Sequence, residues 1–340
     1  MDTTNSQDSE STIWTNIDFS KLGKQIGTLN LPYSPDDDAY GFIPIPIAVI
    51  NGGDGPTVLM TGGVHGDEYE GPIVLNDLIR TLQPEKVKGR LIILPCANAP
   101  ALKAGGRTSP IDSHNMARDF PGKHFGSPTE QITAYIHSTL FPLANFYMDL
   151  HAGGSSLVIE HSTILFPNSK GDPAVDAKSR EMAKVFGAPV TVIASHIGNG
   201  RTPVSSAVLH GIPGISAEMG IAGWISPDSV TLCRNGVARV LGMLGLLPVP
   251  DLPPPGKNKM TTINGHDSYL LCPQDGYFEP AFKLMDRVKK GQYAGRVHQL
   301  MYPSIEPTPL HFSDDGWIWT HRSFGKASAG SALAVLIESI

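Results

Sequence analysis

The stretch Thr61-Gly-Gly-Val-His65-Gly-Asp-Glu68-Tyr-Glu-Gly-Pro72 sets an imidazole and a carboxylate three residues apart, directly after the apolar run Pro56-Thr-Val-Leu-Met60. If a helix starts here, the two side chains share one face and can close on one cation. A third ligand has to come from elsewhere. Tyr147-Met-Asp149-Leu-His151-Ala-Gly-Gly154 offers it, because a second apolar strand runs there into a histidine and two glycines. Two histidines and one carboxylate leave a fourth position for water, the layout of a catalytic rather than a structural zinc site. The plainer alternative is a Glu68 that favours a helix N-terminus and a His65 satisfied in the core. Both histidines end strands in glycine-rich turns, however, and open α/β sheets collect ligands at the carboxyl ends of their strands.

Two further groups carry chemistry. The segment from Ala104 to Gly122, with Arg107 and Arg118, is too polar for core and too long for a turn, and long irregular loops tend to be functional. Beside a metal, one arginine would stabilise an oxyanion and the other would hold a carboxylate in a bidentate fork; without a metal they read as surface arginines. Glu218 ends the apolar run Gly214-Ile-Ser-Ala217, where an acid is expensive unless used or solvated. Its functional reading is a general base that takes a proton from water and passes it to a leaving amine. A solvated strand-end glutamate is the alternative.

The elements that must position these residues alternate. Ile26 to Leu31 and Tyr40 to Ile50 have strand composition, Asn51 to Pro56 is a turn, and Val58 opens a buried strand. Pro72 to Leu82 has helical apolar spacing, and Gly89 to Pro95 reads as the next strand, which predicts a βαβ unit and a parallel sheet. A capped helix follows from Ser127, with Pro128 and Glu130 completing the signal. Ser162 to Phe166 and Val190 to Ala194 read as strands, and Ala174 to Phe186 as a helix ended by Gly187.

Residues 1–11 read as a mobile polar tail, 12–247 as one α/β domain, and 248–260 as a proline-rich spacer. From residue 261 to 340 short strands divided by glycine turns predict a smaller β domain. Its segments Asp275 to Pro280, Val288 to Val297 and Asp314 to Trp319 look like hairpins, and Tyr277 or Glu279 is its candidate for reaching a cleft. With 41% apolar and 17% charged residues, the 340-residue chain can bury a large core. A net charge of −6 without a basic stripe speaks against nucleic acid. No apolar segment approaches membrane-spanning length, and there is no leader, so a cytoplasmic protein is expected. Cys96, Cys233 and Cys272 are scattered and odd in number, which fits reduced thiols.

Gly62-Gly-Val-His65-Gly-Asp-Glu68, the loop from Arg107 to Gly122, Asp149-Leu-His151 and Glu218-Met-Gly220 stand together in the order and approximate spacing of the succinylglutamate desuccinylase/aspartoacylase family. This family is part of the zinc carboxypeptidase superfamily, and the resemblance covers nearly the whole chain. It implies a mixed, largely parallel sheet flanked by helices, one Zn2+ per chain on His65, Glu68 and His151, and Glu218 as the base. Arg107 would polarise the scissile carbonyl, while Arg118 and Asn115 would hold the substrate. The chain departs from the family at one point: the usual Asn-Leu-Asn-Arg run reads Asn115-Met-Ala117-Arg118. A lost amide beside a charged group weakens binding by ~1.5–3 kcal/mol. His114 is a candidate substitute contact. An arginine that family members carry shortly before the base has Arg201 as its nearest counterpart.

The length and the Arg107-Thr-Ser-Pro-Ile-Asp112 run resemble the ectoine-utilisation branch, whose members are N-α-acetyl-L-2,4-diaminobutyrate deacetylases. Such a substrate has a carboxylate for Arg118 and an ammonium that needs an acid, for which Glu160 and Asp119 are candidates. The implied partner is a small acyl amino acid, with homo-oligomerisation left open. A deacylase for N-acetylaspartate or N-succinylglutamate, a metallocarboxypeptidase and a non-catalytic binding protein on the same fold remain as alternatives.

Overall fold

The computed structural model describes residues 11–167, 171–195, 199–220 and 222–340. The expected tail, up to residue 10, lies outside them. A short strand β1 (Trp14–Thr15) pairs antiparallel with β2 (Gly23–Pro32), which runs antiparallel to β3 (Phe42–Asn51) along its whole length. Every residue of β4 (Thr57–Gly62) is buried, as a strand covered on both faces requires. Helix α1 (Glu70–Thr81) then crosses to β5 (Arg90–Leu94), which lies parallel to β4, so the expected βαβ unit is present. Val74, Leu75 and Ile79 form the face that α1 buries on the sheet.

One local expectation changes. Helix α1 begins at Glu70, close to the expected Pro72, and the condition of a helix already at His65 is not met: His65 and Glu68 lie in the turn before it. The chain is held in that turn by packing on α2 (Ala99–Ala104). A Cβ on Gly66 would sit 1.9 Å from the Ala101 carbonyl carbon, and the Gly66 N–H donates to the Gly106 carbonyl.

Helix α3 (Pro128–Tyr135) has the full capping box of Ser127 and Glu130. After it come β6 (Phe146–Ala152), β7 (Leu157–Ile159), β8 (Ser162–Leu165), α4 (Pro173–Phe186) and β9 (Val190–Ile193). Gly187, at φ +89°, ends α4 in the left-handed conformation that glycine adopts most readily. Helix α5 (Pro203–Leu209), β10 (Gly214–Met219) and α6 (Pro227–Met243) close this half. Neighbours run in the order β3-β5-β4-β6-β10-β8-β9, with β10 and β8 antiparallel and the central pairs parallel. The sheet is therefore mixed, with separate apolar layers on its two faces. Leu59, Ile92 and Tyr147 belong to one layer; Met60, Met148 and Leu150 belong to the other.

The C-terminal part is joined more closely than a spacer implies. Lys259 and Met260, expected in the linker, open β11 (Lys259–Thr262), which pairs parallel with β9. Strands β12 (Tyr269–Leu271), β13 (Gly276–Pro280), β14 (Arg287–Val288) and β15 (Tyr293–His298) follow, then β16 (Thr308–His311), β17 (Gly316–Arg322), β18 (Lys326–Ala327) and β19 (Ala332–Ser339). The large sheet continues from β9 through β11 into β19 and β17, and β7 pairs with β17. Strands β16, β15, β13 and β18 form a second sheet, and Leu270, Phe278, Val297, Ile318 and Leu336 pack between the two. Two expected hairpins are rewired. β14 pairs with β17 rather than β15, and the Asp314-Asp315 turn carries the chain from one sheet to the other instead of joining paired strands. Among the described residues no helix is long and apolar enough to cross a membrane.

Candidate active site

Strands β4, β6 and β10 are parallel, so their carboxyl ends meet at one edge of the sheet. Alternation puts Tyr147, Asp149 and His151 on one face of β6, and Glu218 is the direct neighbour of His151 across the β6–β10 pair. The turn after β4 brings His65 and Glu68 to the same place. His65 Nδ1 lies 2.7 Å from Glu68 Oε1, and His151 Nδ1 lies 2.7 Å from Glu68 Oε2. One ligand atom from each of the three buried residues falls within 4.8 Å of the others. The Ala152 N–H also donates to Glu68 Oε2, at 3.1 Å.

The far side of each imidazole decides what this cluster holds. His151 Nε2 is 2.7 Å from Asp149 Oδ2, and His65 Nε2 is 3.1 Å from Asn115 Oδ1. That amide oxygen also accepts the Ala117 N–H, which fixes its orientation. Both acceptors call for the ring proton on Nε2, which turns the two Nδ1 lone pairs toward the Glu68 oxygens. Lone pairs do not face carboxylate oxygens at such distances unless positive charge lies between them. At His151 a proton supplies it when no metal is bound: against the opposing effect of burial, Asp149 and Glu68 hold this histidine well above its usual range. Burial pulls His65 the other way. Burial also opposes ionisation of Glu68, but the two histidines outweigh it and keep the carboxyl well below its usual range. A divalent cation meets the same demand with three ligand atoms already gathered, so the donor set fits a metal.

Asp149 is itself held. Its Oδ1 accepts from Thr61 Oγ1 at 2.6 Å, and Thr61 is 2.5 Å from the Tyr147 hydroxyl. The motif containing Asp149 is conspicuous in the sequence, but this supporting role was missed; its signal is the i, i+2 spacing that puts it on the face of His151. Asp67 was missed too: its Oδ2 accepts the Ser155 N–H and hydroxyl, which ties the His65 turn to the turn after β6.

The other expected residues are distributed as follows. Arg107 Nη1 lies 3.3 Å from His65 Nδ1 and 3.6 Å from Glu68 Oε1. Arg118 and Ala117 line the same cavity, which encloses about 350 Å³. Glu218 lines it as well, and its carboxyl is pushed up to about 8, by burial first and then by Glu68, against the pull of His151 and Arg107. Asn115 was expected to hold substrate; its oxygen is instead engaged by His65 and the Ala117 N–H, and it is not part of the cavity wall. His114 pairs with Asp119 at 2.7 Å outside the cavity, so neither is placed to meet a ligand there. Arg201 donates from Nε to the Arg118 carbonyl at 2.9 Å and lines a different recess. Glu160 follows Leu157 and Ile159, which do line the cavity, but is itself absent from the wall. Glu279 is bound to Arg296 and His298 on the outer sheet, and Tyr277 shares that strand; the C-terminal residues that reach the cavity are Ile263, Tyr269, Trp319, Thr320, Ala332 and Val335.

The model of the succinylglutamate desuccinylase/aspartoacylase catalytic domain matches residues 54–244. N-α-acetyl-L-2,4-diaminobutyric acid deacetylase of Halomonas elongata is 34% identical, over 98% of this chain and 97% of its own. The product-bound structure of the ectoine utilization protein EutE (DoeB) from Ruegeria pomeroyi superposes with a TM-score of 0.91 at 34% identity, covering 96% of this chain and 99% of that one. A succinylglutamate desuccinylase/aspartoacylase from Rhodobacter sphaeroides superposes with a TM-score of 0.89 at 33% identity, covering 97% and 100%.

Proposed function

The chain belongs to the succinylglutamate desuccinylase/aspartoacylase family, and from that premise we propose that it is a zinc-dependent deacylase of a small N-acyl amino acid. The substrate we assign is N-α-acetyl-L-2,4-diaminobutyrate, hydrolysed to L-2,4-diaminobutyrate and acetate. The named activity of the Halomonas relative and the ectoine-utilisation role of the Ruegeria protein, both matched along nearly their full length, support that choice. The observation that carries the reading is the placement of Glu218 beside His151, one strand over from a ready three-ligand cluster.

His65, Glu68 and His151 would hold the zinc, which when bound supplies a Lewis acid to water and to the scissile carbonyl. Asp149 and Asn115 fix the two rings with Nδ1 forward. Glu218 takes the proton of the attacking water as that water adds to the acyl carbon. It then returns the proton to the amide nitrogen as the C–N bond breaks, so one carboxyl serves as base and acid. Arg107 stabilises the negative charge that develops on the carbonyl oxygen, and Arg118 holds the substrate carboxylate. The free thiols Cys96, Cys233 and Cys272 fit action in the reducing cytoplasm.

A substrate panel tests this reading. The zinc-loaded protein is given N-α-acetyl-L-2,4-diaminobutyrate, N-acetylaspartate, N-succinylglutamate and a dipeptide, and amine release is followed. The first compound is expected to show the highest kcat/KM, lost on chelation and restored by zinc. Preference for the dipeptide would replace the assignment with a carboxypeptidase, and preference for either diacid would move it to another branch of the family.

A further inference from the structure

An acyl diaminobutyrate brings an ammonium into the site, and among the described residues the cavity wall offers it no spare carboxylate. Among the described residues the only acids lining the cavity are Glu68, Asp149 and Glu218. The first two are committed to the histidines and the third to proton transfer.

Much of the remaining wall is apolar and aromatic. Leu157, Ile159, Ile164 and Phe166 come from the large domain, and Tyr269, Trp319 and Val335 come from the C-terminal strands. Two of these rings are built into position. Trp319 is the extra residue of a bulge in β17: Ile318 pairs with Leu336 and Thr320 with Val335, which leaves Trp319 without a partner on β19. Bulges beside active sites re-aim side chains, and here the indole is pinned by a 3.0 Å bond from Nε1 to Ser162 Oγ. Tyr269 pairs with the same Val335 from the other side of β19, so both rings flank one point of the wall. Trp317, two residues away, already carries Lys259 Nζ at 3.8 Å from its ring centre. Among the described residues no protein cation is found over Trp319 or Tyr269.

Resting on the proposed deacylase reading, we propose that Tyr269 and Trp319 form the subsite for the substrate's side-chain ammonium and recognise it by cation–π attraction instead of an ion pair. Arg118 and the two rings, which line the same cavity, would then together select the charge of the amino acid that fits. A ring quadrupole attracts a desolvated cation without itself being charged, so the subsite adds no negative charge beside Glu218 to disturb its proton transfer.

The test compares kcat/KM for N-α-acetyl-L-2,4-diaminobutyrate with that for N-α-acetyl-L-norvaline, its uncharged isostere, using the full-length zinc-loaded protein. The wild type is expected to favour the cationic substrate by about tenfold or more, since cation–π contacts run to roughly that factor. Tyr269→Phe should keep most of this preference. Tyr269→Leu should lower it several-fold, through a rise in KM for the cationic substrate that exceeds any rise for the norvaline compound. A wild type that favours norvaline, or a Tyr269→Leu variant with unaltered preference, would overturn the subsite while leaving the deacylase in place. A wild type that hydrolyses neither compound would overturn the deacylase reading and the subsite with it. The wild-type comparison alone decides the matter if Tyr269→Leu does not fold.

Discussion

Residues around the ligand cluster divide into those that hold and those that react, and the division makes different demands on each. Asp149 touches nothing but Thr61 and His151 in the hydrogen-bonded network, so its work is to keep Nδ1 of His151 forward. Asp149→Ala is expected to weaken zinc binding by about 10- to 100-fold, as losses of such supporting carboxylates do, measured by competition with a chromophoric chelator. Ala117 makes the opposite case. It lines the cavity beside Arg118, where the family usually has an amide, and the Arg118 guanidinium instead donates back to the Ala117 carbonyl at 2.7 Å. Ala117→Asn is expected to lower KM by about tenfold or more, the equivalent of a hydrogen bond to a charged group; an unchanged KM would mean that Arg118 already holds the carboxylate fully. His65, Glu68, His151 and Glu218 were all legible in the sequence, because strand-ending histidines and a strand-ending acid are local signals. Tyr269 and Trp319 were not, because nothing local records that a bulge in β17 turns one indole toward a cavity built by the other half of the chain.

At the scale of elements, the turn after β10 shows how tightly Glu218 is placed. Gly220 stands at φ +76°, and a Cβ there would lie 2.0 Å from Glu70 Oε1. Gly220→Ala is expected to destabilise the fold by about 1–2 kcal/mol from backbone strain alone, seen as a lower urea midpoint, and more if Glu70 does not move aside. A second joint lies between α5 and the helical turn after α3. His137 there is 2.9 Å from Ser206 Oγ through Nδ1 and 2.9 Å from His210 Nε2 through its own Nε2. Burial, with repulsion from His210 and His124, brings His137 down to about 4 from an ordinary 6.5. The unfolded chain therefore binds the proton more readily, so this contribution to stability is complete above pH 6.5 and is lost as pH falls toward 4. His137→Gln is expected to make the stability curve shallower across that window, measured by denaturant unfolding at successive pH values. Among the described residues, most strands and three of the six α-helices could be read from periodicity and caps. Whether the turn holding His65 was helical stayed open in the sequence, because the packing of Gly66 on Ala101 is a contact with a later element that no local pattern carries.

On the scale of the whole molecule, the strands that follow the proline-rich segment from 248 continue the large sheet as well as building the second one. β11 lies between β9 and β19, and β7 of the large domain pairs with β17, so the two halves share one sheet and one cavity wall. A chain ending at residue 258 is expected to give insoluble protein, because it would expose the β9 edge together with Val190 and Val192, Ile159 and the cavity floor; a soluble, zinc-binding fragment would show instead that the β-rich part is an appendage. The sequence indicated that strands were present here but not which pairs they form, since pairing between strands far apart in the chain leaves no short-range trace.

The most direct measurement is amine release from N-α-acetyl-L-2,4-diaminobutyrate by the zinc-loaded wild type and by Glu218→Gln, with zinc content determined in the same samples. The expected result is steady turnover by the wild type and a loss of about 10²–10⁴-fold in kcat for the variant at equal zinc content, the range for removing a general base. Equal rates in the two proteins, or a wild type that holds zinc stoichiometrically and releases no amine, would contradict the account.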